Sequence, residues 1–402
     1  MDSLMLNGKA YRWGDLADWQ IDSAVSDYEW RVLQFAQEWL SGQETFTVHT
    51  SGSTGQPKAI PLTRAQMVTS ADLTCRALGI EPGDRAFVCV SVEFIAGMMM
   101  LVRGFERGLH MTIVDPVSRP LAALPAGSRF ELTAMVPLQL HETLEGDAHE
   151  RAILNAMKGI LIGGAPVSMA LAQQLQQIEA PMYHTYGMTE TVSHIALKRL
   201  NGPGRSDCFI PFDGVELGLD ERGCLRIVSA LTRGETLQTN DLAELDADGS
   251  FRWLGRLDNV INSGGVKVQT EKVETALEAW LLTYQGGTHA NRRFFVGPLP
   301  HERLGQAVVA VIEGRPFADQ NAASPGLEET IRQQLQPVLT PYEAPRNVYF
   351  VDRLLETPTG KIDRRSNLER VASQFTVSGS STGSSSMDAL HQQEETCGRE
   401  QE

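Results

Sequence analysis

Apolar and polar positions along the first part of the chain change period several times. Between Tyr28 and Leu40, Trp30, Leu33, Ala36 and Leu40 recur at helical spacing and Gly42 supplies a stop, which predicts a helix carrying those residues as its apolar stripe. A short β-type run, Phe46 to His49, leads directly into a Ser- and Gly-rich segment. After it, Thr63 is placed to cap a helix running to Leu78, with Gly79 as its C-terminal signal. Ala86 to Val92, Met111 to Val114, Leu132 to Val136 and Gly159 to Ile162 read as buried strands, with helical stretches such as Met98 to Glu106 and Met169 to Ile178 between them. Such alternation predicts an α/β fold with a mostly parallel sheet covered on both faces.

Beyond about Pro203 the texture changes. Gly214 to Leu217, Cys224 to Val228, Leu242 to Leu245 and Phe251 to Leu254 are short β-type runs separated by turns, and predict a small antiparallel unit attached to the α/β core. After Asp258 the pattern gives a helix from about Thr270 to Leu282, strands near Phe294 and Ala307 to Ile312, a helix from about Leu327 to Gln336, and a strand at Asn347 to Val351. The expected organisation is a large N-terminal domain over 1–257, a small α+β domain over 258–370 and a tail over 371–402. Ser378 to Ser386 is nearly all Ser, Gly and Thr, too poor in apolar area to offset chain entropy, so the tail is expected to be disordered.

Composition changes this picture little. Hydrophobic residues at 42% and charged residues at 21% are ordinary for a globular protein of 402 residues. The net charge of −15 excludes a broad nucleic-acid footprint and favours solubility. Cys75, Cys89, Cys208, Cys224 and Cys397 are scattered and form no CxxC pair, which argues against a zinc site or a disulfide framework and for a reducing cytoplasm. No signal peptide is legible at the start, and Phe94 to Val102, the most apolar run, falls far short of the roughly 20 residues that span a bilayer. Neither membrane insertion nor an oligomeric state is predicted.

The candidate chemistry begins at His49-Thr50-Ser51-Gly52-Ser53-Thr54-Gly55-Gln56-Pro57-Lys58. Glycines let backbone amides point at anionic oxygens, the hydroxyls add donors and Lys58 supplies charge, so the segment suits a polyphosphate. It is not a Walker A loop, because Pro57 precedes Lys58 and Ala59 follows it. Ser51 to Lys58 resembles the phosphate loop of the acyl-adenylate-forming superfamily, which includes acyl- and aryl-CoA ligases, peptide-synthetase adenylation domains and firefly luciferase. That resemblance implies a large N-terminal domain, a small mobile C-terminal domain, ATP and Mg²⁺ as cofactors, and coenzyme A and a small carboxylic acid as partners.

Further motifs follow in that family's order. Ile162-Gly163-Gly164-Ala165-Pro166 resembles the adenine-binding segment, although alone it is also a tight turn. Tyr186-Gly187-Met188-Thr189-Glu190 resembles a stronger motif, which implies that Tyr186 stacks near adenine, Thr189 contacts the α-phosphate and Glu190 holds Mg²⁺, a hard cation suited to carboxylate oxygen. Thr239-Asn240-Asp241 stands where the family has Thr-Gly-Asp. Asp241 would accept from both ribose hydroxyls, and Asn240 is expected to keep a left-handed turn there, since Asn tolerates that backbone. Gly255-Arg256-Leu257-Asp258 resembles the hinge motif, with Arg256 on ribose or phosphate and Asp258 as pivot. Asn262-Ser263-Gly264-Gly265-Val266-Lys267-Val268 would swing in for the second half-reaction, with Lys267 meeting either CoA phosphates or the acyl site. Thr357-Pro358-Thr359-Gly360-Lys361 resembles the catalytic-lysine motif, which places Lys361 at the α-phosphate and the substrate carboxylate.

The implied reaction makes an acyl-adenylate and then a thioester. Because the phosphate loop starts at residue 51, much of the leading subdomain of longer relatives is missing. That compact layout, with Tyr186 to His194 and Ile261 to Lys267, is similar to the short o-succinylbenzoate–CoA ligases of bacterial menaquinone biosynthesis. An aromatic keto-diacid needs an apolar slot, for which Phe94, Ala96, Gly97 and Val136 are candidates. Its second carboxylate needs a cation or hydroxyls, for which Ser193, His194 and Arg103 are candidates. Each has a plainer alternative: Phe94 and Val136 as core, His194 as a satisfied histidine in a β-run, Arg103 on a solvated face.

Overall fold

Residues 3–17, 25–49, 58–317, 327–357 and 361–376 are described by the computed structural model. The chain divides into two units, Met1–Asn259 with Leu282–Asn291, and Val260–Leu281 with Arg292–Glu402.

In the first unit, local signals set the helices. Thr63 caps the helix Arg64–Leu78 through a reciprocal capping box with Gln66, and Gly79 ends it in the left-handed region at φ 63°. Ser26 and Glu29 form the same box at the start of Asp27–Leu40. There the buried stripe is Val32, Leu33, Phe35, Ala36 and Trp39, while Trp30 is 44% exposed. The expected stripe was thus out of phase at its N-terminal end, because the aromatic cluster of Phe35, Trp39 and Phe46 pulls the opposite edge inward.

Among the described residues the main sheet has nine strands, in the order Ile210–Pro211, His194–Arg199, Met182–Gly187, Gly159–Ile162, Leu132–Met135, Arg85–Val88, His110–Ile113, Ser3–Leu6, Lys9–Arg12. The strands from Met182–Gly187 to Ser3–Leu6 pair in parallel. Both edges are antiparallel. Parallel neighbours end on one edge, so the segments after Gly159–Ile162 and at the end of Met182–Gly187 emerge side by side, where open α/β sheets hold ligands.

Thr45–His49 and Ala59–Thr63 form a separate antiparallel ribbon whose register closes at His49 opposite Ala59. The segment from Thr50 through Ser51, Gly52, Ser53, Thr54 and Gly55 to Pro57 joins those strands and lies outside the described residues; Lys58 is exposed at its far end. The predicted antiparallel unit is a four-stranded sheet, Glu216–Leu219, Cys224–Val228, Leu237–Leu245 and Phe251–Arg256 in that order.

The second unit builds a sheet from Val266–Gln269, Val260–Ser263, Gly305–Glu313 and Phe294–His301, with Asn347–Val351 added in parallel to Gly305–Glu313. The final helix, Arg364–Thr376, continues past Arg370, where the tail was expected to begin, because Val371 is fully buried against Phe295, Val311 and Leu354. Residues 377–402 lie outside the described part. Among the described residues no helix is long and apolar enough to cross a membrane.

Candidate active site

The two parallel strand ends bring the first motifs together. Gly163 leaves strand Gly159–Ile162 beside Thr185, and a Cβ there would sit 2.6 Å from the Thr185 Oγ1, so a larger residue would require Thr185 to shift. Gly164 takes φ +84° and, like Ala165, is exposed. Gly187 is constrained more firmly, since a Cβ would meet the backbone carbonyl oxygen of Ser193 at 2.3 Å.

Tyr186 is buried against the stacked pair Phe209 and Phe251, with ring centroids 5.6 and 5.0 Å away. Its hydroxyl donates to the Asp241 Oδ2 at 2.8 Å. Burial, then the Asp241 charge, raise the Tyr186 pKa far above the ordinary phenol value, so it stays a donor. Asp241 is 6% exposed, and its Oδ1 lies 3.6 Å from an Arg256 nitrogen. Arg256 also donates to the Asp258 Oδ2 at 2.7 Å. Burial draws its pKa down, but the bond to Asp258 and the two carboxylate charges outweigh it and raise the value.

Asn240 corrects one expectation. It lies inside strand Leu237–Leu245, directly before Asp241, and is not among the residues with positive φ. No left-handed turn exists there, so the position does not need glycine, and the Asn side chain is free for other contacts.

The turn Thr189–Thr191 carries the next candidates. Glu190 is exposed, and among the described residues its carboxylate has no hydrogen-bond or ion-pair partner; Thr189 is partly exposed. Thr191 is fully buried: its hydroxyl accepts from the Met188 amide at 3.0 Å and lies 2.7 Å from the Ser193 carbonyl oxygen. Between them Val192 takes φ 66°, ψ −58°, with the Ser193 amide donating to the Thr191 carbonyl at 2.7 Å. This is a strained γ-turn on a β-branched residue, the kind of backbone found where a site must be aimed. It directs Ser193 into the interior.

There Ser193 meets Arg103. Arg103 is 2% exposed, and its guanidinium donates to the hydroxyls of Thr74 at 3.2 Å and Ser193 at 3.3 Å. Ser193 also pairs with Ser70 at 2.8 Å, and Thr74 with the His194 Nε2 at 3.1 Å. Arg103 therefore does not sit on a solvated face. Among the described residues no carboxylate pairs with it, and its Nε has no partner at all. Burial pushes its pKa down to about 10. Burial, then the Arg103 charge, hold His194 well below the usual imidazole range, so it is neutral.

Sequence reading missed Ser70 and Thr74. Their signal was present as hydroxyls spaced four apart within the buried face Met67, Ser70, Ala71, Thr74, Cys75, Leu78. Of the slot candidates, Gly97 is buried and backed onto the Ser91 carbonyl, Val136 is partly buried near Gly164, Ala96 is exposed, and Phe94 is 42% exposed rather than core.

In the second unit, Gly264 and Gly265 form the two-residue turn of the hairpin Val260–Ser263 and Val266–Gln269, at φ +60° and +85°. Lys267 is exposed on that hairpin. Lys361 is exposed too, and a pair of hydrogen bonds with Thr357 holds its backbone: the Thr357 amide donates to the Lys361 carbonyl at 2.8 Å, and the Lys361 amide to the Thr357 hydroxyl at 3.2 Å. Pro358, Thr359 and Gly360 lie outside the described residues.

A family model described as AMP-binding enzyme matches residues 10–234, and a second, AMP-binding enzyme C-terminal domain, matches 292–361. The chain belongs to the AMP-binding enzyme family. It is an acid–thiol ligase of the AMP-forming kind. A probable 2-succinylbenzoate–CoA ligase from Mycobacterium tuberculosis is 30% identical over 360 residues, covering 84% of this chain and 87% of that protein. The structure of an acyl-CoA synthetase (AMP-forming)/AMP-acid ligase II-like protein from Dyadobacter fermentans is 41% identical, covers 89% of this chain and 97% of that one, and superposes with a TM-score of 0.57. An O-succinylbenzoate coenzyme A synthetase from Bacillus subtilis, solved with ATP and a magnesium ion, shares the fold at TM-score 0.61, with 20% identity over 79% of this chain and 68% of that one.

The residues of this AMP-binding enzyme suit nucleotide and cation. Glu190 offers an unpaired exposed carboxylate, sufficient for a Mg²⁺ that takes its other ligands from phosphate and water. The other acidic grouping among the described residues, Asp147, His149 and Glu150, is held by Arg119 through bonds to both carboxylates and is structural.

Proposed function

We propose that this AMP-forming ligase activates o-succinylbenzoate with ATP and passes it to coenzyme A, the step that serves menaquinone biosynthesis. The observation that carries the substrate is Arg103: a buried cation bonded to hydroxyls and to no carboxylate is stable chiefly when a ligand brings the anion. A second carboxylate on the acid meets that need. The names of the succinylbenzoate ligases that the chain resembles support the same reading.

In this reading the reacting carboxylate is already ionised at neutral pH, so no general base is required, and positioning with charge neutralisation supplies the rate. Thr189 donates to the α-phosphate, Lys361 neutralises the α-phosphate and orients the carboxylate, and Asp241 holds the ribose hydroxyls. Lys58 and the preceding loop from Thr50 to Gly55 bind the outer phosphates. Gly163, Gly164 and Ala165 let adenine lie against backbone, with Tyr186 and Gly187 alongside. Glu190 would hold Mg²⁺, which when bound would offset phosphate charge. After adenylation the C-terminal unit turns about Asp258, withdraws Lys361, and presents Gly264, Gly265 and Lys267 to coenzyme A. The two arrangements use one active site in sequence.

The test is a panel of carboxylic acids assayed by pyrophosphate release, with thioester products identified by mass. Fast turnover of o-succinylbenzoate is expected. Faster turnover of benzoate or a fatty acid would overturn the substrate assignment.

A further inference from the structure

We infer that Asn240 is a positioning residue for the chain crossing between the two units, holding Asp258 through a side-chain bridge that breaks when the crossing moves. The inference rests on the reading of Asp258 as the pivot.

Asn240 Nδ2 donates to the Asp258 Oδ1 at 3.0 Å. On its other side, Asn240 Oδ1 accepts from an Arg222 nitrogen at 3.1 Å. These neighbours fix the amide's orientation, because its oxygen must face the cation and its NH₂ the anion. Arg222 is itself tied down, bonding Asp220 Oδ2 at 2.7 Å and the Thr239 carbonyl at 3.2 Å. Asp220 in turn accepts from the Arg222 and Cys224 amides at 2.8 and 2.9 Å. The bridge thus ends in the backbone of the four-stranded sheet.

Its free end is at the boundary. The first unit's main segment closes at Asn259 and the second begins at Val260, so Asp258 is pinned one residue before the chain leaves. Arg256 holds the other Asp258 oxygen at 2.7 Å, leaving that carboxylate bonded on both sides to the first unit. Any rotation of the Asp258 backbone has to break the Asn240 bond, because Asn240 is fixed in a strand whose ladder pairs Asp241 with Arg256. The contacts of Asp241 do not pass through Asn240, so ATP binding is separable from the bridge.

The experiment uses the full chain with Asn240→Ala, Asn240→Asp and Asp258→Ala. Adenylation is read as pyrophosphate release without coenzyme A, and transfer as thioester formation from preformed adenylate. Hydrogen exchange of a peptide covering 256–261 is followed in parallel. Losing one partly exposed charge-assisted bond is expected to speed that exchange and to shift the ratio of the two half-reaction rates by about threefold. The KM for ATP should stay within about twofold of the parent if Asp241 is undisturbed. Asn240→Asp keeps the Arg222 pair but sets a like charge against Asp258, so its shift should exceed that of Asn240→Ala.

Unchanged exchange and an unchanged ratio in both Asn240 variants overturn the inference. So does a proportional fall of both half-reactions with a lowered Tm, which would mark a merely structural role. If Asp258→Ala shifts the ratio while the Asn240 variants do not, the pivot stands and the bridge falls. If Asp258→Ala leaves the ratio unchanged, the pivot reading fails and takes the bridge with it.

Discussion

Two arginines singled out in the sequence have opposite surroundings. Arg256 is 39% exposed at its side chain and already serves two carboxylates, Asp241 and Asp258. Arg103 is 2% exposed and, among the described residues, its hydrogen bonds go only to hydroxyls. A cation whose charge is met by the protein organises its neighbours. A buried cation without an anion makes the bound state, rather than the free one, the electrostatically complete state. Exposure alone would have ranked them the other way.

The largest effect extends that contrast to the second unit. Lys361 is exposed and forms no ion pair among the described residues, and in the proposed reading its charge, like that of Arg103, serves a ligand. Lys361→Ala should lower adenylate formation by roughly a thousandfold, as removal of a transition-state charge partner does, with ATP binding retained. Equilibrium binding of ATP and single-turnover pyrophosphate release separate the two. An unchanged rate would remove Lys361 from the chemistry.

Next in size is Arg103→Met, which replaces the guanidinium by an apolar chain of similar reach. It should raise the KM for the diacid by about a hundredfold, the scale for losing one partner of a buried charge pair. A monocarboxylic analogue should be far less affected, because it leaves Arg103 unpaired in the parent too. Equal losses for both acids would mean that Arg103 supports the fold rather than the substrate.

Arg256→Ala should cost less, about tenfold in kcat/KM, since a half-exposed cation is screened by water. Its loss also leaves the Asp241 carboxylate, among the described residues, with only the Tyr186 hydroxyl. The KM for ATP should carry most of the change. If Arg256→Ala proved costlier than Arg103→Met with the diacid, the contrast between the two arginines would be reversed.

How much of this was legible follows from what is local. The helix Arg64–Leu78 was readable end to end, because Thr63, Gln66 and Gly79 write its caps into adjacent positions. Strands Gly159–Ile162, Cys224–Val228 and Asn347–Val351 were readable because short apolar runs bounded by turns leave little choice. The surroundings of Arg103 were not. They depend on Ser70 and Thr74 from one helix and Ser193 from a distant turn meeting Arg103 on another helix, and on a strained turn at Val192 that no composition announces. Asn240 was misread for a related reason. The motif position alone suggests a turn, whereas the strand continues through it and the side chain reaches sideways to Asp258.

The smallest effect tests whether the Arg103 charge is felt by its neighbours. His194 is neutral in the folded protein, mainly through burial and secondly through Arg103. Its folded pKa lies below the unfolded value of roughly 6.5, so on acidification the unfolded chain binds the proton first. The stability contributed is complete above that value and is lost as pH falls through and below it. Arg103→Met removes the secondary cause and leaves the burial, so the folded pKa should rise part of the way. The loss of Tm as pH falls below about 6.5 should then be smaller in total than in the parent, by a degree or two. Carboxylates elsewhere titrate equally in both proteins and cancel in the difference. Saturating diacid, by bringing an anion to Arg103, should flatten the parent's profile in the same direction. Parallel profiles in all three samples would mean that the Arg103 charge is already compensated, and the case for a second carboxylate would lose its basis.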